Sequence, residues 1–172
     1  MGLTIAERGR AIATFRFVEV YLMETAAAWT PTSPEMEVKV LLGRHIWDFA
    51  QHADALGRRT FELRLPAQHS LRPADGYAAF LEEVKGLDGT AERLAALYDV
   101  LLPGLESRYA GYVEQTDPIL DAPSIVIIER ILLDLARQRS EADGVMQELA
   151  LAAAEPGPLR SRELTVAQLV AS

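Results

Sequence analysis

The chain contains no cysteine. Thiol catalysis, iron–sulfur clusters, cysteine zinc sites and disulfides are therefore all excluded. Lysine is nearly absent: only Lys39 and Lys85 join fifteen arginines among the 17 basic residues. The arginines are dispersed and the formal net charge is −8, so no basic patch exists to meet a phosphate backbone, and nucleic acid is not an expected partner. No long uninterrupted apolar run occurs either. The greasiest stretch, IVIIERILLDLA, is broken by Glu129, Arg130 and Asp134, which predicts no membrane span. Glycine-rich phosphate loops after a strand, a nucleophile elbow, a His-Glu-x-x-His motif and a calcium loop are also missing. The N-terminus carries no apolar signal region, and Ala6 stands where a myristoylation signal needs Ser or Thr. A soluble cytoplasmic protein is the expectation.

What remains is helix. The 172 residues fit one domain with a tail, and 49% hydrophobic against 24% charged residues is an ordinary globular mix. Thr4 followed by Glu7 reads as a capping box. Ile12, Phe15, Leu22 and Ala26 then recur at helical spacing up to about Trp29, and TPTSP at 30–34 ends that helix. Ser33-Pro34 is expected to open a second helix reaching about Arg64, with Leu42, Ile46, Phe49, Ala53 and Leu56 as its buried stripe. A short helix starts near Tyr77. Thr90 is expected to cap a longer one through about Val113, kinked at Pro103. A further helix runs from about Pro123 to Ala153, ended by EPGP at 155–158. No strand-like alternation of useful length appears. The expected fold is all-α: an antiparallel four-helix bundle over 1–155 with a short extra helix, followed by a C-terminal tail over 156–172 that either docks or moves. Helices of this length span about 40–45 Å.

Polar residues on the inner stripes are where chemistry is expected, because burying them costs free energy unless they are paired. Glu19 lies on the stripe Ile12-Phe15-Leu22-Ala26. It is either buried and paired or turned to water at the boundary. His45, Asp48 and His52 are spaced three and four apart, so they share one helix face, and they include two of the chain's three histidines. Such a set can ligate a metal, shuttle a proton or hold a polar ligand; Asp48 and His52 could equally be a solvated helix pair. Glu129 shares a face with Ile125, Leu132 and Ala136 and could point partly inward, or pair with a basic neighbour. Glu106 reads as an ion-pair partner and His69 as a loop residue.

The stretch LGRHIWDFAQHADALGRRTFELR, the stretch DAPSIVIIERILLDLARQ and the first-helix Glu19 together resemble divergent bacterial members of the ferritin-like superfamily. The matching residues are His45, Trp47, Ala50, His52, Ala53, Asp54, Ala55 and Leu56, then Asp121, Pro123 and Ser124. The resemblance implies a central site. In diiron members two helices each supply a Glu and two supply Glu-x-x-His. Here Gln51 stands three residues after Asp48, with His52 next to it, and no histidine follows Glu129 or Asp134. If a metal binds, iron or manganese on Glu19, Asp48, His52 and Glu129 is the implied set, with oxidase or oxygenase chemistry. Without one, Glu19, His45, Asp48 and His52 are expected to do acid–base work on a small molecule held between Phe15, Tyr21, Trp47, Phe49 and Tyr98. A non-catalytic binding or partner protein is the competing expectation, and a homodimer is expected in either case.

Overall fold

A computed structural model describes residues 2–151 and 156–165. Every regular element in it is helical. Helix α1 is Ile5–Trp29, closed by a short 3₁₀ turn at Thr30–Thr32; α2 is Met36–Glu62; α3 is Asp75–Lys85. A continuous helical run follows, made of α4 (Thr90–Leu94), a π-helical segment (Ala95–Leu101) and α5 (Leu102–Gln115). Helix α6 is Ala122–Glu148 and α7 is Gly157–Thr165. None of the helices among the described residues is long and apolar enough to cross a membrane.

The start of α1 is a complete capping box: the Glu7 amide donates to Thr4 Oγ1 at 3.3 Å, and Glu7 Oε2 accepts from the Thr4 amide at 2.7 Å. Ser33 does not cap α2. Its hydroxyl turns back to the Trp29 carbonyl at 3.0 Å, and the extended residue before α2 is Glu35. Ser33 therefore satisfies an orphan acceptor at the end of α1 rather than an orphan donor of α2. Thr90 is likewise the first residue of α4, behind Gly89, and its hydroxyl donates to Glu35 Oε2 at 2.9 Å.

Pro103 produces no simple kink. The helix absorbs it by widening over Ala95–Leu101 and resuming as α5 with Pro103 in its first turn. Proline lacks the N–H that would bond four residues back, and that carbonyl, Asp99, instead accepts from Arg160 of α7 at 3.3 Å.

The core follows the sequence stripes. Ile12, Phe15, Leu22 and Ala26 of α1 are buried against Leu42, Phe49, Ala53 and Leu56 of α2, with Ile46 only partly covered. Leu94, Leu97, Leu101 and Leu105 cover the same core, and Ile128, Ile131 and Leu135 of α6 join them. Helices α2 and α6 are stitched in reverse order: Arg59 meets Asp121 and Ser124, His52 meets Asp134, Asp48 meets Gln138, and His45 meets Glu141. The loop after α2 folds back over α1, where Arg16 Nε donates to Gln68 Oε1 at 3.0 Å. The Gln68 amide rests on Gly57, where a Cβ would displace it and the Arg16 side chain bonded to it.

The first half of the expected tail docks as α7. Its remainder, from 166 on, lies outside the described residues, as does 152–155.

Candidate functional site

The centre of the molecule is polar where helical periodicity calls for aliphatic residues. Glu19 is 0% exposed, His45 0% and His52 4%. The 3.6-residue repeat carries Glu19 inward between Phe15 and Leu22, and carries His45 and His52 inward beside Leu42, Phe49 and Leu56. The face bearing the two histidines is as deeply buried as the apolar stripe beside it.

Two linked groups form. In the first, Glu19 Oε1 accepts from the Tyr109 hydroxyl at 2.6 Å, and Glu19 Oε2 faces His52 Nδ1 at 3.2 Å. His52 Nε2 faces Asp134 Oδ2 at 3.3 Å. With a carboxyl group on each ring nitrogen, only the imidazolium can donate to both. Burial works against that charge, but Glu19 and then Asp134 outweigh it and hold the His52 pKa above its ordinary value. Asp134 is itself held below the usual carboxylate range: Arg137 and His52 overcome its partial burial.

In the second group, His45 Nδ1 meets the Tyr98 hydroxyl at 2.7 Å and His45 Nε2 meets Glu141 Oε2 at 3.0 Å. Here a neutral ring suffices. Tyr98 can donate to Nδ1 while Nε2–H donates to Glu141. Burial dominates and pushes the His45 pKa down. The widened helix at Ala95–Leu101 is the segment that presents Tyr98, and burial pushes its phenol well up, so it stays a donor.

Arg137 joins the groups. It donates to Asp48 Oδ2 at 2.8 Å, to Asp134 Oδ1 at 3.1 Å and to Glu141 Oε1 at 3.1 Å. Gln138 Nε2 adds a bond to Asp48 Oδ2 at 3.1 Å, leaving its own buried Oε1 without a partner among the described residues. The result is a continuous hydrogen-bonded chain. It starts at Tyr109 and Glu19 in the interior and ends at the partly exposed side chains of Asp134, Arg137 and Glu141.

Of the sequence candidates, Glu19 and His52 meet directly. His45 lies one helical level away with its own partners, and Asp48 sits between the two levels. Glu129 is exposed and does not join them. Glu106 pairs with Arg139 at 3.0 Å, and His69 stays in the loop. Trp47 is no pocket wall: it is 65% exposed on the outer face of α2, five positions from the inward His52. Asp134 is one of the two α6 carboxylates that the resemblance offers; Arg137, Gln138 and Glu141 beside it are not marked by the apolar stripes. The four repeat on α6 at steps of three, one and three beside Ile131 and Leu135, which mirrors the spacing on α2, and that mirror was the available signal. Tyr109 and Tyr98 carried none beyond residue type.

As arranged, these residues do not fit a metal ion. Both nitrogens of each buried imidazole and both oxygens of Glu19 face protein partners. Among the described residues no group of three or more carboxyl or imidazole side chains is placed to hold one. What the arrangement can do is store a proton on one buried imidazole, keep a second one neutral, and connect both to the surface.

Fold and site together define an all-helical protein, over the described residues, with a buried polar centre. The chain matches no protein-family model, no curated protein and no solved structure.

Proposed function

We propose that the protein is a cytoplasmic small-molecule-transforming enzyme on a ferritin-like antiparallel four-helix bundle, with His52 and Glu19 performing metal-free proton transfer. The four members would be α1, α2, the Thr90–Gln115 helix and α6. The observation that carries this reading is the buried His52 placed between two carboxyl groups and connected by hydrogen bonds to the surface. Enzymes run acid and base chemistry near neutral pH by pushing two titratable groups apart, and His52 and His45 are pushed in opposite directions. In this reading a polar atom of the substrate displaces the partly exposed Asp134 and takes the proton from His52 Nε2, while Nδ1–H stays on Glu19. Glu19, oriented by Tyr109, stabilises the imidazolium before transfer. The neutral imidazole left by that transfer takes a proton back from a second position of the substrate, so His52 ends as it began. Isomerisation, cyclisation and elimination are the reaction classes that need no more than this.

One observation favours a second reading, a non-catalytic binding or partner protein with a degenerate centre: apart from Gln138 Oε1, the network satisfies itself. Oxygen chemistry at iron or manganese would require His52 and Glu19 to give up the bonds described above. In both readings a homodimer would form over the exposed apolar residues of α2 and α6.

Three measurements separate these. Elemental analysis of protein purified from metal-supplemented cells is expected to find no stoichiometric iron or manganese; near-stoichiometric metal that disappears in His52→Ala would restore the metal site and end this proposal. An NMR pH titration is expected to place His52 above its ordinary value of 6.5 and to lower it in Glu19→Gln. A fragment screen is expected to perturb Glu19 and His52 resonances; perturbations confined to the outer faces of α2 and α6 would favour the partner reading.

A further inference from the structure

Helix α7 is mostly polar: Leu159 packs against the core, and charged side chains make its other attachments. Leu164 is exposed. Its attachments are Glu163 to Arg108 of α5, Arg162 Nε to Glu83 Oε2 of α3 at 2.9 Å, and Arg160 to the Asp99 carbonyl that Pro103 leaves open. The Glu163 carboxylate is buried, and it rests on Gly104 so closely that a Cβ there would collide with it. Beneath, the Arg108 guanidinium lies over the Tyr77 ring, 4.9 Å from its centroid. Burial pushes the Tyr77 phenol up to about 12, and its hydroxyl has no hydrogen-bond partner among the described residues. A groove of about 400 Å³ opens beside these groups, lined by Asp99, Pro103, Ser107, Arg108, Arg160 and Leu164.

A guanidinium facing a carboxylate, a bare Cα that makes room for it, and a buried phenol left unpaired are the parts of a carboxylate-binding subsite. We infer that Arg108 and Gly104 form the anchor for a small-molecule carboxylate, and that Glu163 of α7 occupies it as an internal stand-in. The volume suits a small organic acid rather than a protein segment. When the acid takes Arg108, Glu163 is displaced with α7, and the ligand's body lies along Asp99, Pro103 and Ser107, the wall of the groove that α7 does not supply. The substrate class follows only if the proton-transfer reading above holds; the anchor itself does not depend on it.

The test uses the full chain with sodium benzoate, sodium hexanoate, neutral benzamide and inorganic phosphate as probes, followed by calorimetry and by amide exchange of α7. Freeing a site from an internal competitor raises apparent affinity by the inverse of the free fraction, and Glu163→Gln is expected to bind benzoate and hexanoate at least about tenfold tighter than the native chain. It is also expected to lose exchange protection over Gly157–Thr165. Benzamide binding should not change, and Arg108→Gln should abolish the gain. Glu163→Ala leaves Arg108 and Gly104 untouched and is expected to reproduce the gain if Glu163→Gln fails to fold, whereas Gly104→Ala fills the space the carboxylate occupies and is expected to weaken benzoate and hexanoate. Loss of α7 protection with unchanged carboxylate affinity overturns the inference, as does phosphate binding as tightly as benzoate. His52 titration decides the other reading separately: carboxylate binding with an ordinary His52 pKa leaves the anchor standing and removes the proton transfer.

Discussion

Two carboxyl groups, Glu19 and Asp121, are completely buried in this protein, and they are used differently. Asp121 closes a cluster. Its Oδ1 accepts from Arg59 Nη2 at 2.9 Å and from the Ser124 hydroxyl at 2.6 Å, and its Oδ2 accepts from the Tyr112 and Thr116 hydroxyls at 2.6 and 2.7 Å. Every donor there keeps its proton at neutral pH. Burial raises the Asp121 pKa, but the four donors outweigh it and hold the group below the usual range. Glu19 has two partners instead of four, and one is an imidazole that can lose its proton. Its chain continues outward through Asp134 and Arg137. Equal burial thus supports a fixed junction between α2, α5 and α6 in one case and a path along which charge can move in the other.

Breaking the closed cluster should have the largest effect. Asp121→Ala strands Arg59 without its buried counter-charge and removes the acceptor of three hydroxyls, a loss of about 3–5 kcal/mol. Urea unfolding followed by circular dichroism would read it. Glu19→Gln keeps the shape and one acceptor for Tyr109, so about 1–3 kcal/mol is expected. If Glu19→Gln costs as much as Asp121→Ala, the polar centre is a structural junction like the other one, and the distinction between them fails.

A sharper separation comes from pH. His52 has a folded pKa above 6.5, so its contribution to stability is complete below that value and is lost as pH rises through the folded pKa. His45 has a folded pKa below 6.5, so its contribution is present above 6.5 and is lost as pH falls through the folded value. The two limbs place a stability maximum near the ordinary imidazole pKa. The groups that face these rings are Glu19 and Asp134 for His52, and Glu141, Asp48 and Arg137 for His45. His52→Gln should flatten the alkaline limb and His45→Gln the acid limb down to the region where Asp134 and Glu141 begin to protonate. A profile of melting temperature against pH checks both, and Asp121→Asn should leave the two limbs where they are.

Much of this was legible in the residues. The capping box, the four apolar stripes, Glu19 as a polar break in the first of them and the shared face of His45, Asp48 and His52 follow from local spacing that needs no tertiary information. The partners do not follow from it. Which carboxyl meets which imidazole depends on the register of α6 against α2, and the step pattern of Asp134, Gln138 and Glu141 acquires meaning only once the two helices are side by side. The widened turn at Ala95–Leu101 was hidden for a different reason: AALYDVL is ordinary helix sequence, and its departure answers Pro103 two residues beyond it. Ser33 misled because a serine before a proline can serve either neighbour, and here its hydroxyl joins its own amide and the Thr32 hydroxyl on the Trp29 carbonyl at the end of α1.

The smallest effect on the fold is expected on the opposite side of α2. Val40, Trp47 and Phe61 are exposed there at multiples of seven residues, and Val126 and Leu133 of α6 are exposed seven apart. A stripe with this repeat suits packing against another helix, whereas isolated surface hydrophobics need no explanation. Trp47→Glu should change the stability of the isolated chain by no more than about 0.5 kcal/mol, because it breaks no buried contact. It should also leave the His52 titration unmoved, since nothing in the network of hydrogen bonds passes through Trp47. Sedimentation velocity should show the native chain as a dimer and the variant as a monomer. A native chain that is already monomeric removes the homodimer. A variant that shifts His52 would mean that the outer face and the polar centre communicate, and the open chain from Glu19 would then end in an interface rather than in water.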